Sequence, residues 1–242
     1  MAVSLNDIIT EARQATNTLN SGFFDDTVEL PGYVNDELSD LYDRVVGSYE
    51  KYFIVSKNFT LTSSNSIELA TLTGADPSEQ FYKEVGLDWW PSGVAGTAPA
   101  ITVYPIGTYE DRNYGNVGVS VGMFGPARQY DLVGSQLQIL PNTVPFAGVY
   151  TLRYIPNAPT LTNDVNLPVE LERWKKLLIL KVTKRMKDKR EQDVTSISTE
   201  IATQEKRIDD AARHRKKEGK RIPNRVRSGY PGGYGGPNGW WL

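Results

Sequence analysis

Cysteine is absent from the 242 residues, and histidine occurs once, at His214. The first absence excludes disulfides and thiolate chemistry. The second removes nearly every Ser-His, Cys-His or His-ligated metal arrangement. His214 lies in the basic run RHRKKEGK, where a lone imidazole reads as solvated surface. Long apolar runs are missing too. The longest, LLIL at Leu177–Leu180, is core-sized and far short of the roughly 18 residues that read as a membrane span. The opening MAVSLNDII has neither a basic n-region nor an apolar h-region, so no signal peptide and no membrane partner are expected. Nucleotide fingerprints are also lacking: no G-x-x-x-x-G-K-[ST] or G-x-G-x-x-G follows a strand and opens a helix. The stretch YPGGYGGPNG is rich in glycine but precedes no helix whose N-terminus could hold a phosphate.

What is present suffices for a sizeable core. The chain is 39% hydrophobic and 23% charged, and its length allows one large domain or two small ones. The net charge of −2 hides an uneven distribution. From Glu170 to Arg227 there are 19 Lys/Arg and 10 Asp/Glu, a balance of +9; the rest carries 8 and 19, a balance of −11. Two readings fit this split. A basic helical hairpin packs on an acidic body within one fold, or the two faces serve two partners, including another copy of the chain.

Ser4 followed by Asp7 predicts a capped helix start, and Leu5, Ile8, Ile9, Ala12 and Ala15 keep helical spacing. TNTLNSGFFDD breaks that pattern. A second helix begins near Pro31, with Val34, Leu38, Leu41, Tyr42, Val45, Tyr49, Tyr52 and Phe53 as one apolar stripe. Asp36, Glu37, Asp40, Asp43 and Glu50 share the other face. A metal or acid–base role for these carboxylates is the alternative. A solvated acidic face is expected, because no His, Cys or second cluster converges on them.

The middle of the chain reads as strands. FIVSKNFTLTSS and NSIELATL form an expected hairpin, EVGLDWW a third strand and AITVYPI a fourth. YDLVGSQLQILP is two strands about a Gly-Ser turn. GVYTLRYIP alternates, with Tyr150, Leu152 and Tyr154 on one face and Val149, Thr151, Arg153 and Ile155 on the other. A small antiparallel sandwich or curled sheet is expected. Helices return after Pro168, with Leu171, Trp174, Leu177, Leu178, Val182 and Met186 as the apolar face and Lys175, Lys176, Lys181, Lys184, Arg185 and Lys187 around it. In the last helix Val194, Ile197, Ile201, Gln204, Ile208 and Ala211 form a narrow seam suited to one neighbour. After Gly219 the chain is basic, then rich in Gly and Pro, and no autonomous structure is expected there.

Several stretches, in order and spacing, resemble the adaptor proteins of tailed bacteriophages, also called head-to-tail connector or head-completion proteins. They are VNDELSDLYDRVVGSYEKYFIVSKNFTLTSS, FYKEVGLDWW, VYPIGTYEDRNYGN, YDLVGSQLQILPN, GVYTLRYIPNAPTLTND and LPVELERWKKLLILKVTKRMKDKREQDV. The similarity runs from about Val34 to Ala212; the stretch Pro91–Gly125 and the tail after Lys220 depart from it. The resemblance implies an α+β fold in which N- and C-terminal helices form a bundle around an inserted small antiparallel β-domain, with an extended C-terminal arm. The corresponding segments are 1–55, 56–160 with a Gly/Pro-rich insertion at 91–125, 165–218 and 219–242.

The same resemblance implies a structural virion protein with no enzymatic activity and no cofactor. It would be made in the host cytoplasm and placed in the neck of the virion. There it would form a ring, commonly of twelve copies, beneath the portal. Expected partners are the portal protein, tail or neck proteins, other copies of itself, and packaged DNA passing through the channel without sequence-specific binding. Within that scheme the arm is expected to anchor on the portal or a neighbouring subunit through Tyr230, Tyr234, Trp240, Trp241 and Leu242, with Arg225 and Arg227 pairing with acidic groups. Subunits are expected to meet through Asp36, Glu37, Asp40 and Asp43 on one side and Lys175, Lys176 and Lys184 on the other. A DNA-binding accessory protein using the basic hairpin is the alternative.

Overall fold

Ser4 caps the first helix as its sequence predicts. Its hydroxyl accepts the Asp7 amide (3.2 Å) while the Asp7 carboxylate accepts the Ser4 amide (2.9 Å), a reciprocal capping box that opens α1, Leu5–Ala15. The computed structural model describes residues 3–19, 21–62, 64–73, 79–90, 100–106, 129–140, 148–163 and 165–219, without the side chains of 214–219. The arm residues Arg225, Arg227, Tyr230, Tyr234, Trp240, Trp241 and Leu242, and most of the 91–125 stretch, lie outside the described residues. Within the described residues the chain is mixed α and β, with six helices and one seven-stranded sheet.

Helix α2 spans Glu29–Tyr49 and passes into a 3₁₀ turn, Glu50–Tyr52. Strands β1 (Val55–Leu61) and β2 (Ser66–Glu68) lead to the short α3 (Leu69–Thr73). Then come β3 (Phe81–Trp90), β4 (Ile101–Pro105), β5 (Gln129–Val133), β6 (Gln136–Leu140) and β7 (Gly148–Pro156). The chain closes with α4 (Val169–Glu172), α5 (Lys175–Lys189) and α6 (Thr195–Gly219).

Two hydrophobic clusters divide the interior. One gathers α1, α2, α4, α5 and Ile208 of α6. Every residue of the apolar stripe expected on α5 is buried, and so is the α2 stripe except Tyr52, which is 59% exposed. The other cluster belongs to the sheet: Phe59, Leu61, Leu69, Leu87, Val103, Tyr130, Leu137, Ile139, Tyr150, Leu152 and Tyr154. Strand β7 serves both. Tyr154 lies in the sheet cluster, whereas its neighbour Ile155 lies in the helical one, as the alternation of side chains along a strand requires. Polar bonds reinforce the junction. The Tyr42 hydroxyl donates to the Pro156 carbonyl (2.8 Å), Lys83 pairs with Glu50 (2.9 Å), and Asn35 both donates to and accepts from the Leu161 backbone.

The sheet order is β1-β7-β3-β4-β5-β6-β2. This corrects the expected β1–β2 hairpin: the two strands sit on opposite edges, β1 antiparallel to β7 and β2 antiparallel to β6. Phe59 stacks on its register partner Tyr150, with centroids 5.3 Å apart. That long-range aromatic pair rewards β7 as the partner, and neighbouring residues in sequence offer β1 nothing comparable. The sheet is also not wholly antiparallel, since β4 and β5 run parallel over Tyr104↔Gln129 and Pro105↔Tyr130. The sheet curls so that side chains of edge strand β1 share a core with β5 and β6, and α3 packs against β1, β2 and β3. The β5–β6 turn is as expected: Gly134, at φ +61°, takes the first central position that a two-residue hairpin of type II′ needs.

Candidate functional sites on the helical half

The acidic face of α2 and the basic face of α5 meet each other. Arg185 reaches Asp36 (2.8 Å) and Glu37 (2.5 Å); Lys181 reaches Glu37 (3.5 Å) and Glu205 (3.8 Å); Arg44 reaches Glu205 and Asp209 (3.0 Å each). These seven side chains form one continuous seam across α2, α5 and α6. At its flanks Lys189 pairs with Glu29 and Lys175 with Glu11, while Lys176 reaches Glu200 (2.5 Å). Hydrogen bonding to Asp36 comes first in holding the Arg185 guanidinium charged; burial opposes it and the Glu37 charge adds to it. The Lys189 ammonium, then the Tyr33 hydroxyl, hold the Glu29 carboxyl below its ordinary range.

Of the residues expected at a subunit interface, Asp36, Glu37, Lys175 and Lys176 have partners inside the chain. Glu37 is not on a solvated face at all, being only 7% exposed. A buried carboxylate is costly unless neutralised, and Arg185 with Lys181 neutralises this one. Asp40 is exposed and makes no ion pair among the described residues; Asp43, also exposed, accepts the Tyr82 hydroxyl from β3. Lys184 is half-buried and likewise unpaired among the described residues. The charge seen in composition is therefore in large part internal.

Arg13 was not visible as a special residue in the sequence. It is 6% exposed, donates to the carbonyls of Thr18 (2.7 Å), Ser21 (3.0 Å) and Phe24 (3.1 Å), and pairs with Asp26. One guanidinium thus satisfies a loop that has no secondary structure to do so. Its position in the last turn of α1 gives the only sequence cue, and that cue equally suits an exposed cation at a helix C-terminus.

A second feature opens where α2 ends. Val45, Tyr49 and Tyr52 form one wall of a groove of about 330 Å³, and Val169, Glu170, Arg173 and Trp174 form the other. Pro168, with φ −54°, starts α4, and the break at Arg173–Trp174 turns the chain into α5, so Trp174 faces Tyr49 at 6.5 Å between centroids. Tyr52 stands edge-on to Tyr49 at 6.4 Å. The Arg173 guanidinium lies 4.7 Å from the Trp174 ring centroid and makes no ion pair among the described residues. Val169 is 77% exposed. The groove is thus aromatic at its base, apolar at its lip and flanked by one charge of each sign.

Among the described residues no group of three or more His, Asp or Glu is placed to hold a metal, and no helix is long and apolar enough to cross a membrane. No protein-family model matches the sequence, and comparison with curated proteins gives no match from which a function could be carried over.

Proposed function

We propose that this chain is a head-to-tail adaptor of a tailed-bacteriophage virion. Copies form a ring under the portal, twelve by the resemblance, which extends the DNA channel and docks the tail. In this reading the helices from both ends of the chain make the bundle, and the strands between them make an inserted β-domain. The C-terminal arm anchors the ring to the portal or to a neighbouring subunit. The observation that supports it most is the division of the interior. Residues up to Phe53 and from Ile155 onward share one core, while the strands between them, with Leu69 of α3, supply another, in keeping with the organisation the motif resemblance implies.

The intrachain seam weighs against the DNA-binding alternative. Lys175, Lys176, Lys181, Arg185 and Lys189 already face carboxylates, which leaves fewer cations on α5 to neutralise phosphates. Titration of duplex DNA at two salt concentrations separates the readings. An adaptor binds DNA weakly and binds the portal ring stoichiometrically. A DNA-binding protein shows strong affinity at low salt that falls by orders of magnitude as salt rises.

A further inference from the structure

We propose that the groove between the end of α2 and α4 is the resting dock for this chain's own C-terminal Trp240–Trp241–Leu242. The path of α6 carries the argument. The Lys189–Glu29 pair places the end of α5 beside the start of α2, and α6 begins only six residues after Lys189. By the time α6 reaches Glu205 and Asp209 it lies beside Arg44, late in α2. The ten residues from Asp209 to Gly219 add about 15 Å, so the end of α6 lies within roughly that distance of Asp209 and its partner Arg44, five residues before Tyr49. Beyond Gly219 the sequence holds 23 more residues. A glycine-rich chain of that length has an average span of about 25–30 Å, so the distance to the groove is well within reach.

The chemistry matches at both ends. The floor is the small uncovered part of Tyr49 and Trp174, 8% and 7% exposed, and Tyr52, 59% exposed, supplies the ring open to an indole. The volume of about 330 Å³ is at the small end of ligand pockets, so one indole enters while the other and Leu242 lie across exposed Val169 and Tyr52. Arg173 stacks on Trp174 through its face, leaving its edge N–H groups for backbone carbonyls of the arm. Tethering raises the arm's effective concentration to the order of millimolar, so at micromolar protein the chain's own end outcompetes another molecule's. The inference does not depend on the adaptor reading. If that reading holds, assembly must lift the arm from this groove before it can grip a partner.

The test uses the full chain alone, without portal or DNA, with the photo-cross-linker p-benzoylphenylalanine in place of Trp241. Irradiation of an equal mixture of isotope-labelled and unlabelled protein, followed by peptide mapping, reads both the site and the molecule of origin. The expected result is cross-links to residues 45–52 or 169–174 within one molecule, with yield reduced about tenfold by Val169→Glu. Val169 is so exposed that this change leaves the fold intact, which circular dichroism verifies, and Arg173→Gln gives a second, milder loss. Cross-links elsewhere, none at all, groove cross-links only between molecules, or a yield indifferent to both substitutions would overturn the proposal. Failure here leaves ring formation on the portal untouched, and failure of ring formation leaves this result standing.

Discussion

The helical core and the sheet core solve the same problem with opposite materials. The helical core joins residues more than a hundred positions apart, such as Leu38 and Leu178, and screens its flank with ion pairs running from Asp36 to Asp209. The sheet core relies on aromatic register pairs and keeps its polar groups on its outer side, where Trp90 donates to Thr151 and Thr151 donates to Asn58. Ile155 and Tyr154, adjacent on β7, mark the boundary to a single residue. The lesson is that a strand buried on both faces can join two cores without a dedicated interface helix.

The sharpest way to break this comparison is to empty each core in turn. Leu178→Ala and Leu137→Ala, both at fully buried positions, should each cost about 2–5 kcal/mol. In urea unfolding, Leu178→Ala should displace the transition reported by Trp174 and Leu137→Ala that reported by Trp89 and Trp90. Ile155→Ala should behave as a helical-core mutation although it sits in a strand. A single transition shifted equally by all three would show that the cores unfold as one.

Next in size is Gly148→Ala. Gly148 has φ +151°, and a Cβ there would stand 2.4 Å from Trp89 Nε1 and 3.3 Å from the Trp90 carbonyl oxygen. A loss of about 1–3 kcal/mol is expected, confined to the Trp89/Trp90 signal. Arg185→Met should cost roughly 1–3 kcal/mol by leaving buried Glu37 with Lys181 as its sole cation among the described residues. That is less than the ~3–5 kcal/mol for fully buried pairs, because Arg185 is 37% exposed. Lys176→Met, which removes an exposed pair with Glu200, should cost no more than about 1 kcal/mol. Urea midpoints of these variants rank the seam against its rim.

The smallest effect concerns pH. Burial first, and the Asp131 charge second, hold the Glu84 carboxyl above its ordinary range. The folded state therefore holds this proton more tightly than the unfolded one. Stability from Glu84 is full below the ordinary carboxylate range and falls as pH rises through the raised value. Glu84→Gln should flatten that slope and raise the melting temperature slightly at neutral pH. A variant that melts lower at neutral pH would contradict the assignment.

Much of the helical half was legible because a stripe at 3.6-residue spacing determines which face is buried; the stripe expected on α5 is buried throughout and that of α2 everywhere but at Tyr52. The alternation in GVYTLRYIP likewise separated Tyr150, Leu152 and Tyr154 from Arg153. Beyond the β5–β6 hairpin, pairing partners were not legible. The β1–β7 and β2–β6 ladders depend on which distant strand completes a core, and local patterning is silent on that. Glu37 was misread and Arg13 passed over for a related reason: the sequence marks them as charged, and only the fold supplies the partners that make their burial tolerable. The groove at Tyr49, Tyr52 and Trp174 was hidden inside two core stripes, with Tyr52 the one aromatic that the stripe places but the core does not cover.

Electron microscopy of the purified chain mixed with the portal of its own virus tests the central claim most directly. The account predicts closed rings stacked coaxially on the portal, one adaptor per portal subunit, with a continuous central channel. Portals that remain bare at saturating adaptor, or adaptor that decorates DNA instead of portal, would contradict it.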